Sequence, residues 1–167
     1  MSDWWEKATA EEYIRRAKCI VDQYSNYFDE QAGLNLKGKQ NQGENIADNG
    51  GIKEAYMAYS ELQEKKTLLT AVNNFKFSAQ WASGNEREAS LPGFESMTPQ
   101  QMFWISFGQV WCIKYRDAAL KTEIETSPHS PGKYRILGPL SNIEDFARDF
   151  NCPVGSGMNP KKKCEVW

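Results

Sequence analysis

A mainly α fold with little strand is what this sequence predicts, and three observations carry that prediction. Apolar residues recur at helical spacing through Tyr13 to Tyr24, Ile46 to Leu62 and Met102 to Cys112. Segments of the form Ser/Thr-x-x-Glu/Gln at Thr9, Thr98 and Ser141 have the pattern of capping boxes and mark helix starts. Strand signals are short by comparison, confined to Leu34 to Lys39, which reads as a short hairpin or a loop, and to a β-prone run from Tyr134 to Leu137. A chain of 167 residues with 40% hydrophobic and 25% charged residues is the size of one domain, and such a domain buries roughly 70% of the surface it exposes when unfolded.

In chain order, the Thr9 box opens a helix over 10–26, in which Tyr13, Ile14, Ala17, Ile20, Val21 and Tyr24 form the apolar face. Residues 29–42 are rich in Gly, Asn, Gln and Lys and read as a connection. The next helix carries Glu44 and Asp48 four residues apart, so both carboxylates project from one face. It continues through Ile52, Ala55, Tyr56 and Tyr59 toward Leu62, with an exposed polar end over 61–66. Gly50 and Gly51 each cost about 1 kcal/mol relative to Ala in a helix, which predicts close approach of another backbone. Thr67 to Val72 and Phe75 to Phe77 read as extra strand or helix, or as the translation of an unspliced segment. Thr98, Pro99 and Gln101 start a helix that is apolar nearly all round, the pattern of a central buried element. In Ser127-Pro128-His129-Ser130-Pro131-Gly132, two prolines hold the histidine in a stiff loop. The Ser141 box then opens a short amphipathic helix bearing Ile143, Phe146, Ala147 and Phe150.

Charge and composition exclude some classes of function. A net charge of -2, with Lys161 to Lys163 as the only basic run, gives no electrostatic footprint for nucleic acid. The start of the chain has neither the form of a signal peptide nor that of a membrane span, and no run of about 18 apolar residues occurs. Cys19, Cys112, Cys152 and Cys164 are too widely spread for a Cys-x-x-Cys motif and read as buried thiols or disulfide partners.

Two acids one turn apart are ordinarily a solvated pair on a helix surface. Their neighbours change that reading. The stretch Gly43-Glu44-Asn45-Ile46-Ala47-Asp48-Asn49-Gly50-Gly51 resembles the third-zinc-ligand helix of the neprilysin and endothelin-converting-enzyme family of zinc metallopeptidases. The Asp3-Trp4-Trp5 opening, the Leu91-Pro92-Gly93-Phe94 segment, His129-Ser130-Pro131 with Tyr134-Arg135, and the Cys164-Glu165-Val166-Trp167 ending are similar to that family in the same order.

The resemblance implies the C-terminal part, over 1–167, of a mostly helical, thermolysin-like (zincin) catalytic domain, from which residues 67–90 depart as an insertion. It implies hydrolysis of peptide substrates on the amino side of hydrophobic residues, with one zinc ion as cofactor. Glu44 is then the metal ligand, and Asp48 orients a zinc-bound histidine. His129 donates to the oxyanion of the tetrahedral intermediate, and Arg135 holds a peptide carbonyl or terminal carboxylate. The two zinc histidines belong to a His-Glu-x-x-His helix, which this chain, with one histidine in all, does not contain. A missing N-terminal part of the same family chain is the partner this implies; a homodimer is left open. The ending matches the family's C-terminus, so the expected gap lies in front of Met1. The resemblance also implies a Cys19 to Cys164 disulfide, partners in the missing part for Cys112 and Cys152, and an extracellular or plasma-membrane ectodomain. The absence of any Asn-x-Ser/Thr site weighs against that location without overturning it. Two rivals stand beside this reading: a catalytically inactive binding module, and a self-contained module in which Cys112 pairs with Cys152.

Overall fold

Helix α1 occupies Lys7–Ser25 and so begins before the box at Thr9. Glu6 is its N-cap residue without a side-chain cap, and the Glu12 carboxylate that would complete the box is taken by Arg15 and Arg16 at 2.7 and 2.6 Å. Ion pairs at i+3 and i+4 have displaced the cap. The computed structural model describes residues 4–71 and 90–167; most of the expected insertion therefore lies outside the described residues. A two-stranded antiparallel hairpin follows α1, with β1 (Phe28–Asp29) paired to β2 (Leu34–Asn35). It starts upstream of the expected one, because Asp29 accepts the backbone N–H groups of Ala32 and Gly33 and closes the turn there.

Then come α2 (Gln42–Ala71), α3 (Pro99–Val110), α4 (Asp117–Thr126), α5 (Gly132–Asn142) and α6 (Glu144–Asp149). The start of α3 is as expected, with Thr98 and Gln101 in a reciprocal capping box and Pro99 in the first turn. Its burial is not as expected. Trp104 is buried but Val110 is 73% exposed, so α3 presents one covered face and one open one. Helix α4 has no side-chain cap and little amphipathic signal, and no expectation covered it.

The β-prone run Tyr134 to Leu137 is helical, inside α5. Tyr134, Gly138 and Ser141 lie on one buried stripe at i, i+4 and i+7, and that longer period overrides the local preference of four residues. Gly138 is required by close approach: a Cβ there would stand 2.1 Å from the Tyr24 hydroxyl of α1. The Ser141 box is not used either. The Ser141 hydroxyl donates to the Gly138 carbonyl within α5, and the N-cap residue of α6 is Ile143, with no side-chain cap.

Among the described residues, two apolar clusters form the core. One gathers Ile20, Tyr24, Leu36, Ile46, Leu120, Ile124, Tyr134 and Val166; the other gathers Ile52, Tyr56, Trp104, Leu140 and Ile143. Helix α2 contributes to both, packing on α1 and α5, and this fixes which of its faces is left for Glu44 and Asp48. In the second cluster Tyr56 stacks on Trp104 at 4.2 Å, and both donate to one Asp149 carboxylate oxygen, at 2.6 and 2.9 Å.

The last residues are bound to this core. Cys19 and Cys164 form the disulfide that the family resemblance implies. The Cys164 N–H donates to Asn142, and Arg16 donates to the Val166 carbonyl. Gly50 is approached by the Trp167 ring, which a Cβ would meet at 3.1 Å, while a Cβ at Gly51 would meet nothing within 4 Å; among the described residues the expected backbone crossing is replaced by a single indole. Cys112 and Cys152 are both free thiols, Cys112 exposed just beyond α3 and Cys152 half-buried beyond α6, so the self-contained pairing does not form.

Burial pushes Tyr56, Tyr24 and Tyr134 furthest above the ordinary tyrosine range, with Tyr115 raised in the same direction: Tyr56 goes to about 12, with its bond to Asp149 adding to the effect, and Tyr24 and Tyr134 further upward. A raised folded-state value means stability is intact below about pH 10, the unfolded value, and is lost as pH rises through the folded values. Tyrosinate absorbance and helical circular dichroism, followed together, should change in a joint transition above about pH 10. Three phenols that ionise near 10 with no loss of helix would contradict the packing described.

Candidate active site

Glu44 sits in the first turn of α2, where unsatisfied amides favour an anionic side chain, and Asp48 follows one turn later on the same face. Facing them are the loop between α4 and α5, which bears His129, and the first turn of α5, which bears Arg135. The four residues singled out in the sequence converge as two pairs. His129 Nε2 lies 3.2 Å from Glu44 Oε2, with both side chains nearly half exposed. Arg135 grips Asp48 with Nε and Nη2, each at 2.7 Å from a different carboxylate oxygen. That second pair is largely removed from water, at 17% and 12% exposure.

Arg135 is held from the other side as well. Its guanidinium carbon stands 3.9 Å from the centre of the Trp111 ring, close enough for a cation–π contact. The hydrogen bonds to Asp48 raise the guanidinium pKa further, against the opposing effect of burial. Gly132 makes the stack possible, since a Cβ there would lie 2.8 Å from the Trp111 carbonyl oxygen. Trp111 therefore belongs to the site, although its place in an apolar run gave it the look of core. The signal in the sequence was slight: an indole at the end of the run, where α3 stops.

The histidine loop is fastened to the start of α2 at two points. Gln40 and Asn41 side chains donate to the Ser127 carbonyl at 2.7 and 2.9 Å. The Ser130 hydroxyl donates to Asn45 Oδ1 at 2.8 Å, between side chains that are both buried. Asn45 and Ser130 were quoted in the motifs but given no role.

Zinc is held by Cys, His, Asp and Glu side chains, usually in fours. Asp48 has both oxygens engaged by Arg135, which leaves Glu44 as the accessible carboxylate with His129 beside it. Among the described residues no group of three or more such side chains converges. The stretch thus fits one carboxylate ligand and does not complete a site. Asp48 retains lone pairs on each oxygen and can still accept an N–H from a ring placed nearby.

The model of peptidase family M13 matches residues 1–166. This chain belongs to that family. Neprilysin-2 of Drosophila melanogaster is 50% identical over 167 residues, covering 100% of this chain and 19% of the relative. Human endothelin-converting enzyme 1 is 40% identical over 164 residues, covering 98% of this chain and 18% of the relative. A solved structure of the Haemonchus galactose-containing glycoprotein complex is 36% identical, with a TM-score of 0.79 over 96% of this chain and 24% of that one. Mycobacterium tuberculosis zinc metalloprotease ZMP1 in complex with an inhibitor, at 23% identity and a TM-score of 0.76, covers all of this chain and 23% of its own, and shares the fold. The chain spans about a fifth of the length of the curated relatives it matches. The neprilysin-like family assignment and the mainly helical fold expected from the sequence both hold. Among the described residues no helix is long and apolar enough to cross a membrane.

The Asp48 and Arg135 pair sets a stability test. Asp48→Ala leaves a mostly buried guanidinium without its counter-charge and should cost about 3–5 kcal/mol in denaturant unfolding. A cost under about 1 kcal/mol would mean that the pair is solvated rather than buried.

Proposed function

We propose that this chain is the part of a neprilysin-like zinc metalloendopeptidase that contributes the third zinc ligand and the groups that grip the reacting peptide. The observation that carries this reading is the convergence of Glu44, Asp48, His129 and Arg135 from two distant stretches of sequence onto one face. Glu44 is the metal ligand, presented by the first turn of α2. Asp48 orients one of two zinc-bound histidines from a His-Glu-x-x-His helix carried outside these residues. When bound, zinc supplies Lewis acidity toward the scissile carbonyl and the attacking water.

The chain's own groups have separable tasks. His129 is tethered beside Glu44 with its ring half exposed, and donates an N–H toward the oxygen on which charge develops. Asp48 occupies two N–H donors of Arg135, and the remaining donors hold a backbone carbonyl of the peptide or its terminal carboxylate. Cleavage falls on the amino side of hydrophobic residues. The open face of α3, with Phe107 partly covered and Val110 exposed, receives the rest of the catalytic domain. An extracellular or ectodomain location is supported by the Cys19 to Cys164 disulfide, a bond that persists in oxidising compartments.

The test is a graft of this chain in place of the matching segment of the Drosophila Neprilysin-2 relative. The graft should hold stoichiometric zinc and cleave a quenched hydrophobic peptide. Glu44→Gln should lose both, and His129→Ala should keep zinc and KM while kcat falls by about 10²–10³-fold. Zinc retained in full by the Glu44→Gln graft would remove the ligand assignment.

A further inference from the structure

The imidazole of His129 can serve the site only if the loop that carries it is held against α2. Pro128 and Pro131 limit the loop's backbone, and the Ser127 carbonyl is clasped by Gln40 and Asn41. The His129 N–H donates to Ser127 Oγ at 3.1 Å, and Ser130, the next residue, has a side-chain tether of its own. Its hydroxyl is buried at 2% exposure and donates 2.8 Å to Oδ1 of Asn45, itself 1% exposed and adjacent in sequence to Glu44. One hydrogen bond therefore joins the neighbour of the imidazole to the neighbour of the carboxylate.

The rest of Asn45 is fixed too. Its N–H donates to the Asn41 carbonyl, and its own carbonyl accepts from the Asn49 side chain at 2.7 Å. Its side-chain Nδ2, by contrast, is buried and has no hydrogen-bond partner among the described residues. An unpaired buried amide costs about 1–3 kcal/mol, so stability alone would favour an apolar residue here. What an apolar residue cannot supply is the acceptor that Ser130 uses.

We propose that Ser130 and Asn45 are positioning residues, whose hydrogen bond sets the imidazole of His129 against the carboxylate of Glu44. This rests on the reading of His129 and Glu44 as members of one site, but it concerns their relative placement and needs neither zinc nor peptide.

The chain's single histidine makes the placement directly readable, because one imidazole gives one set of ring nitrogen resonances. In the 15N-labelled 167-residue chain, at one fixed pH, Glu44→Gln should displace those resonances. The displacement should vanish in Ser130→Ala and in Asn45→Ala and return in Ser130→Thr, with backbone amides outside 41–45 and 127–131 unmoved. A merely structural role would lower the unfolding midpoint of Ser130→Ala and leave the response to Glu44→Gln intact, which would overturn the proposal. Should both alanine variants fail to fold, the unaltered chain decides: a through-space cross-peak between the Ser130 hydroxyl and Asn45 side-chain protons is expected, and its absence refutes the bond. An otherwise unaltered chain whose imidazole ignores Glu44→Gln refutes the placement itself. None of these readings depends on the zinc and turnover of the graft, so either can fail while the other stands.

Discussion

The contact between α2 and α5 is the constraint on which the site depends. Two polar clasps close it. Asp48 and Arg135 form the outer one, and the inner one runs from the Asn142 amide to Asn49 Oδ1 at 2.8 Å, with the Asn49 amide shared between the Tyr24 hydroxyl and the Asn45 carbonyl. Apolar packing alone would let two helices slide by a fraction of a turn at small cost, whereas a two-pronged ion pair has one geometry. The clasp therefore fixes which residues of α2 face the histidine loop. It also explains why a largely buried ion pair is kept at a position where removing charge from water costs several kcal/mol per ion.

The tail of the chain extends the same network. Cys164 is bonded to α1 through Cys19, and its N–H ends on Asn142 Oδ1, so the disulfide and the inner clasp share one asparagine. Trp167 completes the arrangement by lying against Gly50 of α2 and beside Tyr13 of α1 at 5.7 Å between ring centres. A bond that closes a separation of 145 residues removes conformations chiefly from the unfolded chain. Here it also holds the residues that brace the helix bearing Glu44 and Asp48.

Legibility in the sequence followed the range of the interaction involved. The start of α3 could be read because Thr98, Pro99 and Gln101 act within one turn and nothing distant competes. The boxes at Thr9 and Ser141 had the same local form and were not used, since Arg15 and Arg16 took Glu12 in one case and α5 ran on through Ser141 in the other. Tyr134 to Leu137 read as strand because its neighbours along the chain are β-prone; the decisive partners, Tyr24 beside Gly138 and Asp29 bonded to the Tyr134 hydroxyl, are about a hundred residues away. Of the site, the charged members were visible as motifs. Trp111, Asn45 and Ser130 were not, because a stack and two buried side chains have no signature in spacing. The disulfide pairing likewise came from the family resemblance, as four dispersed cysteines are compatible with several pairings.

The two pairs at the site differ in a way that suits different work. Arg135 is gripped by Asp48, stacked on Trp111 and largely shielded, so its guanidinium plane is fixed before anything binds and little ordering remains to be done. His129 and Glu44 are nearly half exposed and meet each other through one contact, so each retains access to a further partner. A rigid, shielded guanidinium lies next to two accessible side chains, and a buried hydrogen bond between Ser130 and Asn45 ties together the segments that carry those two, so order sits in the buried contacts and access in the exposed groups. Among the described residues three buried side-chain groups lack a hydrogen-bond partner, Asn45 Nδ2, Trp111 Nε1 and Ser156 Oγ, and the first two belong to residues that touch the histidine loop and the Arg135 guanidinium.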